Sequence, residues 1–406
     1  MTKPNVDEFF PRRNQRHTMK HPDGWEPGLQ WDGKKGLITT GPMVAEPDPS
    51  IWARLIEDWG LDPTATEVVD GSLQIRAWQV NVGDGQIETL KYYKCAIKPR
   101  ELTGDRVDIE SLCKEVMKRK PAKPNVTVES ERAFVITLAD WQLGKGENGG
   151  TEATTERILA SRDRCLARYH ELVKVGRAPS VVYIIGVGDL SEGCQGFYPM
   201  MEYQIDLNRR EQERLARRLI VQFIDPFAEL GLKVVAMGVP GNHGENRKNG
   251  KAFTDFTDNS DVSVFESVAE IFEANPERYG NVSIPLGAIN NDDLTMTLDI
   301  CGVPTAFAHG HQYRGGTNAA AKAEGWWKGQ ALGRTDVSDA EILISGHYHH
   351  FVTSESTGRT FFQCPAMDGG SKWFTGSSGQ SSPAGMLTMC IGAGVGPRGW
   401  SDLLIL

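Results

Sequence analysis

The chain is poor in cysteine for its length, with seven thiols in 406 residues, at positions 95, 113, 165, 194, 301, 364 and 390. No two of them form a Cys-x-x-Cys pair, which excludes a zinc knuckle or a thioredoxin-type motif. Their odd number and scatter fit reduced, mostly buried thiols rather than a disulfide framework. Long hydrophobic runs are missing as well: no apolar stretch approaches the roughly 20 residues that cross a bilayer. The opening residues, Met1-Thr2-Lys3-Pro4-Asn5, lack the charged-then-apolar pattern of an export signal, so the cytoplasm is the expected location. An excess of basic charge is also absent. Lys and Arg number 44 against 53 Asp and Glu, and the formal net charge of -9 argues against a protein that coats nucleic acid by bulk attraction. There is no internal repeat.

What remains is a composition of 39% hydrophobic and 24% charged residues, that of a soluble globular protein long enough for two domains. Residues 1 to about 45, rich in Pro, Gly and charge, read as an extended arm. Ser50 to Trp59 has apolar residues at helical spacing and stops at Gly60. Leu73–Val82 and Ile87–Ile97 read as a hairpin turning at residues 83–86, with a bulge at Ala77-Trp78 where the alternation shifts phase. Lys114–Asn125, basic and with two prolines, reads as a linker. The expected division is thus an α+β module over residues 1–125 and a second domain over 126–406. The module's aromatic residues Trp52, Trp59, Trp78, Tyr92 and Tyr93 serve either as its core or as a surface for DNA, a partner protein or a second subunit. Two basic runs, Arg12 to Arg16 and Lys118 to Lys120, read as solvated charge.

Beyond residue 130 the pattern changes. Ala133–Ala139, Ser180–Gly186 and Leu232–Val239 are short continuous apolar runs, separated by helical stretches over about 152–175 and 206–230. Buried strands alternating with helices predict an α/β fold with a largely parallel sheet. After residue 280 six further strand-like runs predict a second sheet, stacked on the first and flanked by helices. Lys372–Pro383 is a Gly/Ser-rich loop.

Five short segments follow these runs in a fixed order: Asp140-Trp141-Gln142-Leu143-Gly144, Gly188-Asp189-Leu190-Ser191-Glu192, Gly241-Asn242-His243, His309-Gly310-His311 and Gly346-His347-Tyr348-His349. Each presents oxygen or imidazole donors of the kind that hold hard-to-borderline divalent metals. Taken singly they say little. A lone Asp after a strand is ordinarily a cap or turn residue, Gly-Asp is a common turn, and a lone His is more often simply hydrogen-bonded. His347 and His349, alternately spaced, would face one side if they lay on a strand. Their joint occurrence at strand ends, where open α/β sheets place their sites, changes the balance.

Together the five segments resemble the motif set of the calcineurin-like metallophosphoesterases over about residues 131–395. The Asp-x-x-x-Gly of the first looks like the DNA-repair exonuclease branch, and the layout looks like metallophosphoesterases carried by phages, which would place the protein in a host cytoplasm. The resemblance implies two stacked mixed β-sheets flanked by helices and a pair of divalent ions about 3.5–4 Å apart. It implies Asp189 as the bridging carboxylate, Asp140, Gln142 and His349 on one ion, and Asn242, His309 and His347 on the other. His243 would be the general acid, oriented and kept cationic by Glu192, while hydroxide generated at the ions attacks phosphorus in line. Arg247, His311 and Arg314 are the candidate substrate contacts, and Trp326 and Trp327 either stack bases or pack in a helix. Two departures matter. Gln142 stands where most members carry histidine, which weakens that position and points to Mn²⁺, with Mg²⁺ or another transition metal next. Gly193-Cys194 replaces an Arg-Gly pair of the protein phosphatases, which argues against that branch. The implied function is a metal-dependent phosphodiesterase acting on DNA. The alternatives are a small-molecule phosphatase or cyclic-nucleotide phosphodiesterase on the same core, or a degenerate core that only binds nucleic acid or a partner.

Overall fold

The continuous apolar runs become central strands because both faces of each are covered. In a computed structural model, residues 23–406 are described apart from 44–45, 48, 62, 64–65, 70, 84–85, 100–104, 124–129, 198–200, 249, 287–292, 317, 372–374, 377–378 and 380. The chain divides into two compact units, Met1–Gly104 and Asp105–Leu406.

The first unit is an antiparallel sheet backed by one helix. Its strands are β1 (Gly28–Trp31), β2 (Gly36–Thr39), β3 (Thr66–Val68), β4 (Gln74–Gly83) and β5 (Gln86–Pro99), and its helix is α1 (Pro49–Asp58). The sheet order is β1-β2-β5-β3, with β4 also paired to β5. Trp52 and Ile56 of α1 pack on Ile38, Tyr93, Cys95 and Ile97. The expected arm is therefore corrected: residues 28–39 form a hairpin held along the long strand β5, a tertiary pairing that segments of four residues cannot announce by periodicity. The bulge is also misplaced. Pairing runs unbroken through Ala77↔Lys91 and Trp78↔Leu90, and the register shifts instead between Asn81 and Gly83, beside the turn. Trp52, Tyr92 and Tyr93 are core residues, while Trp59 is exposed. The side chain of Trp78 and the Arg12–Arg16 run lie outside the described residues.

The second unit opens with α2 (Asp105–Met117), then β6 (Ala133–Leu138), α3 (Gly150–Lys174), β7 (Val181–Gly186), α4 (Arg209–Glu229) and β8 (Lys233–Gly238). A two-stranded ribbon, β9 (Arg247–Lys248) and β10 (Lys251–Ala252), precedes α5 (Ser260–Glu273), α6 (Pro276–Tyr279) and β11 (Val282–Ser283). There follow β12 (Thr295–Ile300), β13 (Val303–Ala308), α7 (Ala319–Gly333), β14 (Ile342–Ser345), β15 (Val352–Ser356), β16 (Arg359–Gln363), β17 (Leu387–Ile391) and β18 (Trp400–Ile405). One sheet has the order β11-β8-β7-β6-β17-β18 and the other β12-β13-β14-β16-β15. In the first, β6, β7, β8 and β11 are parallel; in the second, β13, β14 and β16 are.

Side-chain alternation within the apolar strands builds the layers. Val135, Ile185 and Met237 face Phe307, Ile344 and Phe362 between the sheets. Phe134, Ile136, Val182 and Ile184 face the helices, among them Phe223 of α4 and Phe265 of α5. Ala306, Leu343 and Phe361 on the outer side of the second sheet receive Trp327 of α7. The order helices, sheet, sheet, helix is the predicted two-sheet α/β architecture. β15 and β18, which the sequence reading omitted, are edge strands with mixed exposure.

The basic stretch taken for a linker is largely built into this unit. Asp108 of α2 is buried and meets three guanidinium groups of α4, Arg214 at 3.2 Å, Arg217 at 3.0 Å and Arg218 at 2.8 Å. Burial works against its charge, but the hydrogen bonds from Arg217 and Arg218 hold its carboxyl below the usual range. Arg119 pairs with Asp225 at 2.9 Å, and the Asn275 side chain donates to the carbonyls of Val116 and Arg119. Trp327 donates to the Val337 carbonyl at 3.1 Å, and Trp326 packs beside it against Tyr313, so both tryptophans are packing residues.

Candidate metal centre

The parallel strands of each sheet deliver their carboxyl ends to one place. Asp140 and Gln142 follow β6, Asp189 follows β7, and Asn242 and His243 follow β8. From the other sheet, His309 follows β13, and His347 and His349 follow β14. The turns are sharp. Asp140 (φ 49°), Gln142 (42°), Asp189 (55°), His347 (73°) and His349 (61°) all adopt the left-handed conformation that non-glycine residues avoid. Such strain persists only where surrounding contacts over-determine it, and it concentrates at functional sites. The glycines between them permit close approach: a Cβ on Gly241 would lie 2.1 Å from Asp189 Oδ1, and one on Gly346 2.6 Å from Asp140 Oδ2. His347 and His349 lie in the loop after the strand that ends at Ser345, so strand alternation does not govern them, and both take positive φ.

Bracing comes from Asp261 at the start of α5. Its buried carboxylate accepts from the backbone N–H groups of Asp189 (2.9 Å), Leu190 (2.9 Å) and Gly241 (2.8 Å), tying the second and third motif loops together. Burial and the neighbouring Asp189 charge push its pKa up to about 6. Asn259 caps α5 and donates to the Gly241 carbonyl at 2.8 Å.

Asp189, His309 and His347 each offer a ligand atom, and these atoms lie within 4.8 Å of one another. His309 is held by Nδ1 against the Val187 carbonyl at 2.8 Å, which turns its Nε2 to within 2.9 Å of Asp189 Oδ2. That pair lacks hydrogen-bond geometry: Asp189 Oδ2, His309 Nε2 and Asn242 Oδ1 are buried polar atoms without a hydrogen-bond partner. Orphaned buried donors and acceptors are rare and call for an occupant. One carboxylate, one amide oxygen and two imidazoles make a donor set that fits a borderline divalent cation. Burial opposes the His309 charge, yet Asp189 raises its pKa to about 10, and burial together with His309 drives His347 down to about 2.

The other half is arranged differently. Asp140 accepts from the His347 N–H with both oxygens, at 3.2 and 3.0 Å. His349 Nε2 lies 3.3 Å from Asp140 Oδ1 and 3.3 Å from Gln142 Nε2, and its Nδ1 is 3.7 Å from Asp368 Oδ1. Asp140 and Asp368 raise the His349 pKa to about 9 against the effect of burial. Lys145 forms a buried ion pair with Asp368, and its Nζ is 3.3 Å from Gln142 Oε1. Burial works against this ammonium, but Asp368 outweighs it and holds its pKa above the usual lysine value.

His243 sits beside the cluster. Its backbone N–H donates to Asp189 Oδ1 at 2.7 Å, and its Nδ1 lies 2.6 Å from the Glu192 carbonyl and 3.6 Å from Glu192 Oε2. Glu192 thus meets the histidine more closely through its main chain than through its carboxylate. Phe197 stacks on the ring, centroids 4.1 Å apart and planes at 4°, and Arg247 lies 4.2 Å from the Phe197 centroid. Arg247 is paired with Glu245 at 2.8 Å, and His311 Nε2 stands 3.8 Å from the other Glu245 oxygen. Arg314 folds onto the carbonyls of His311 and Tyr313 in its own loop. Asp261, Asp368, Lys145 and Phe197 were missed by sequence reasoning. Lys145 stood three residues after Gln142 and was open to notice; the other three carry no local signal.

No protein-family model matches the chain, and no curated protein matches it. Among solved structures it is similar to an archaeal phosphodiesterase, at 10% identity over 67% of this chain and 99% of that one, with a TM-score of 0.29. It is also similar to a predicted phosphoesterase from Streptococcus pneumoniae (13% identity, 64% and 83% covered, TM-score 0.27). A third is the zinc-complexed Vps29 of Entamoeba histolytica (13% identity, 67% and 98% covered, TM-score 0.26). Likenesses this low carry no argument about activity or substrate.

Proposed function

We propose that this chain is a metal-dependent phosphodiester hydrolase acting on nucleic acid, with DNA as the first substrate to test. The observation that carries the reading is the convergence of three buried ligand atoms without hydrogen-bond partners, on Asp189, Asn242 and His309, the first and last in ion-pair contact with each other, with His347 beside them. In this reading Asp189 is shared by two cation positions. Asn242, His309 and His347 complete one, and Asp140, Gln142 and His349 complete the other. Bound divalent ions supply Lewis acidity toward a phosphoryl oxygen and a nucleophilic hydroxide at neutral pH.

The remaining chemistry belongs to the protein. With His243 Nδ1–H held on the Glu192 carbonyl, the proton given to the departing alkoxide is the Nε2–H of the protonated ring, which is left as the neutral Nδ1–H tautomer; the alkoxide is a strong base that leaves poorly without that proton. Phe197 fixes the plane of that ring. Support for a polymeric phosphodiester comes from the ribbon that follows His243. It carries Arg247, Lys248 and Lys251, with Phe253 and Phe256 exposed just beyond. Cations interleaved with exposed aromatics suit a sugar–phosphate backbone and its bases.

The test is cleavage of 5′- and 3′-labelled single- and double-stranded DNA by chelator-stripped protein, with and without Mn²⁺. Bis(p-nitrophenyl) phosphate and the Asp189→Ala protein run in parallel. Manganese-dependent cleavage absent from the variant is the expected result. Intact DNA with turnover of the small ester would keep the hydrolase and discard the nucleic-acid substrate. Inertness toward both would discard the hydrolase.

A further inference from the structure

The two cation positions differ in what already occupies their ligands, and the difference centres on Lys145. This residue is buried, and its position is set by a tight turn in which its N–H donates to the Gln142 carbonyl at 3.1 Å. The turn directs the ammonium between Asp368 Oδ2 and Gln142 Oε1. The Gln142 amide consequently presents its nitrogen, not its oxygen, to His349 Nε2 at 3.3 Å. An amide binds a hard or borderline cation through oxygen. To act as a ligand beside His349, Gln142 must swing that oxygen away from Lys145 and leave the ammonium with one partner fewer. The ion pair with Asp368 is neutral as a whole, yet its positive end is the one facing Gln142, so it repels a cation arriving there. At the other position the ligand atoms of Asp189 and His309 meet each other, 2.9 Å apart, Asn242 Oδ1 has no hydrogen-bond partner, and among the described residues no lysine or arginine is paired with any of the three.

Resting on the reading of this site as a cation centre, we propose that Lys145 makes the centre unequal. One divalent ion binds tightly at Asp189, Asn242, His309 and His347. A second binds at Asp140, Gln142 and His349 at least tenfold more weakly, because it competes with the Lys145 ammonium for Gln142 and is repelled by it. Asp368 has the opposite influence. It neutralises Lys145 and stands behind His349 on the Nδ1 side, as carboxylates behind metal-binding histidines do.

The experiment is a titration of the chelator-stripped full-length chain with Mn²⁺ alone, following free Mn²⁺ by its electron paramagnetic resonance signal. The wild type is expected to show one tight class and a second at least tenfold weaker. Lys145→Met should tighten the second class about tenfold and leave the first within twofold. Lys145→Gln, which retains a donor for the buried Asp368, should move it the same way and serves if the methionine protein does not fold. Asp368→Asn keeps the ammonium, removes its counter-charge and should weaken the second class further. Opposite shifts in the Lys145 and Asp368 variants are the signature of this electrostatic arrangement, since simple loosening of the site would weaken binding in both. Two equal classes in the wild type, or no tightening in either Lys145 variant, would overturn the proposal while leaving the cation centre in place. Absence of any tight class would overturn both.

Discussion

The two halves of the site are built from similar residue types and have come to different ends. Around Asp189, the buried ligand atoms of Asp189 and His309 are paired only with each other, and Asn242 Oδ1 has no hydrogen-bond partner. Around Asp140, a backbone N–H, an ammonium and a second carboxylate already engage every ligand group. A list of residues capable of holding a metal is therefore not yet a metal site. What separates the halves is the second layer: a carbonyl behind His309 aims its other nitrogen at Asp189, whereas a lysine beside Gln142 claims the oxygen that would face the ion.

The contrast can be broken outright by Asp189→Ala, which removes the one carboxylate common to both halves. Loss of all tight divalent binding and of metal-dependent turnover is expected, read by metal content after gel filtration and by hydrolysis of bis(p-nitrophenyl) phosphate. His243→Ala should separate chemistry from binding. Metal content stays at the wild-type level and turnover falls roughly 10²–10⁴-fold, the range for a lost acid–base group; undiminished turnover would remove His243 from the reaction. Replacing Phe197 with leucine takes away the stack that orients the same ring. A stacked aromatic pair is worth about 1 kcal/mol, so kcat should fall several-fold with KM little changed; a change in KM alone would count against a positioning role. Gln142→His sharpens the comparison from the weaker side, since imidazole presents no oxygen to Lys145. Tighter retention of the second ion is expected in calorimetric titration, and unchanged affinity would mean that Gln142 is not a ligand.

The smallest effect on either half is expected from Asp108→Asn, whose consequences fall on stability instead. Removing the charge from a buried carboxylate that holds three arginines should cost about 3 kcal/mol in urea unfolding near neutral pH, with metal binding by the folded protein unchanged. The pH dependence has a definite sign. The folded-state pKa of Asp108 lies below its unfolded value of 3.8, so the carboxylate stabilises the fold above that value and loses its contribution as pH falls through the lower folded one. The stability gap between wild type and variant should narrow only below about pH 4.

Much of the fold was legible because its signals are local. Ala133–Leu138 and Val181–Gly186 read as strands buried on both faces since short, nearly unbroken apolar runs have nowhere else to go. The segments at 28–31 and 36–39 were not legible, because their strand character exists only in pairing with β5. Helix α2 was partly taken for a linker, since its hold on the domain is long-range: Leu112 and Val116 enter the core, and Asp108 reaches three arginines about a hundred residues away. In the site the same divide recurs. Motif letters at strand ends pointed to Asp140, Asp189, Asn242 and His309, and to His347 and His349 just past a strand, but the positive φ at these last two residues had no local signal.

The sequence by itself determined the layered α/β core and the set of donor residues that the strands carry to one edge, because apolar runs and the residues just after them are neighbours along the chain. Only the tertiary structure decided how those donors are used. Lys145 and Asp368 are 223 positions apart, and Asp261 lies 72 residues from the Asp189 amide that it holds. Charge pairing across such distances appears in no local pattern, yet within a buried site of low polarity it determines which ligand atoms stay free for a cation and which are already bound.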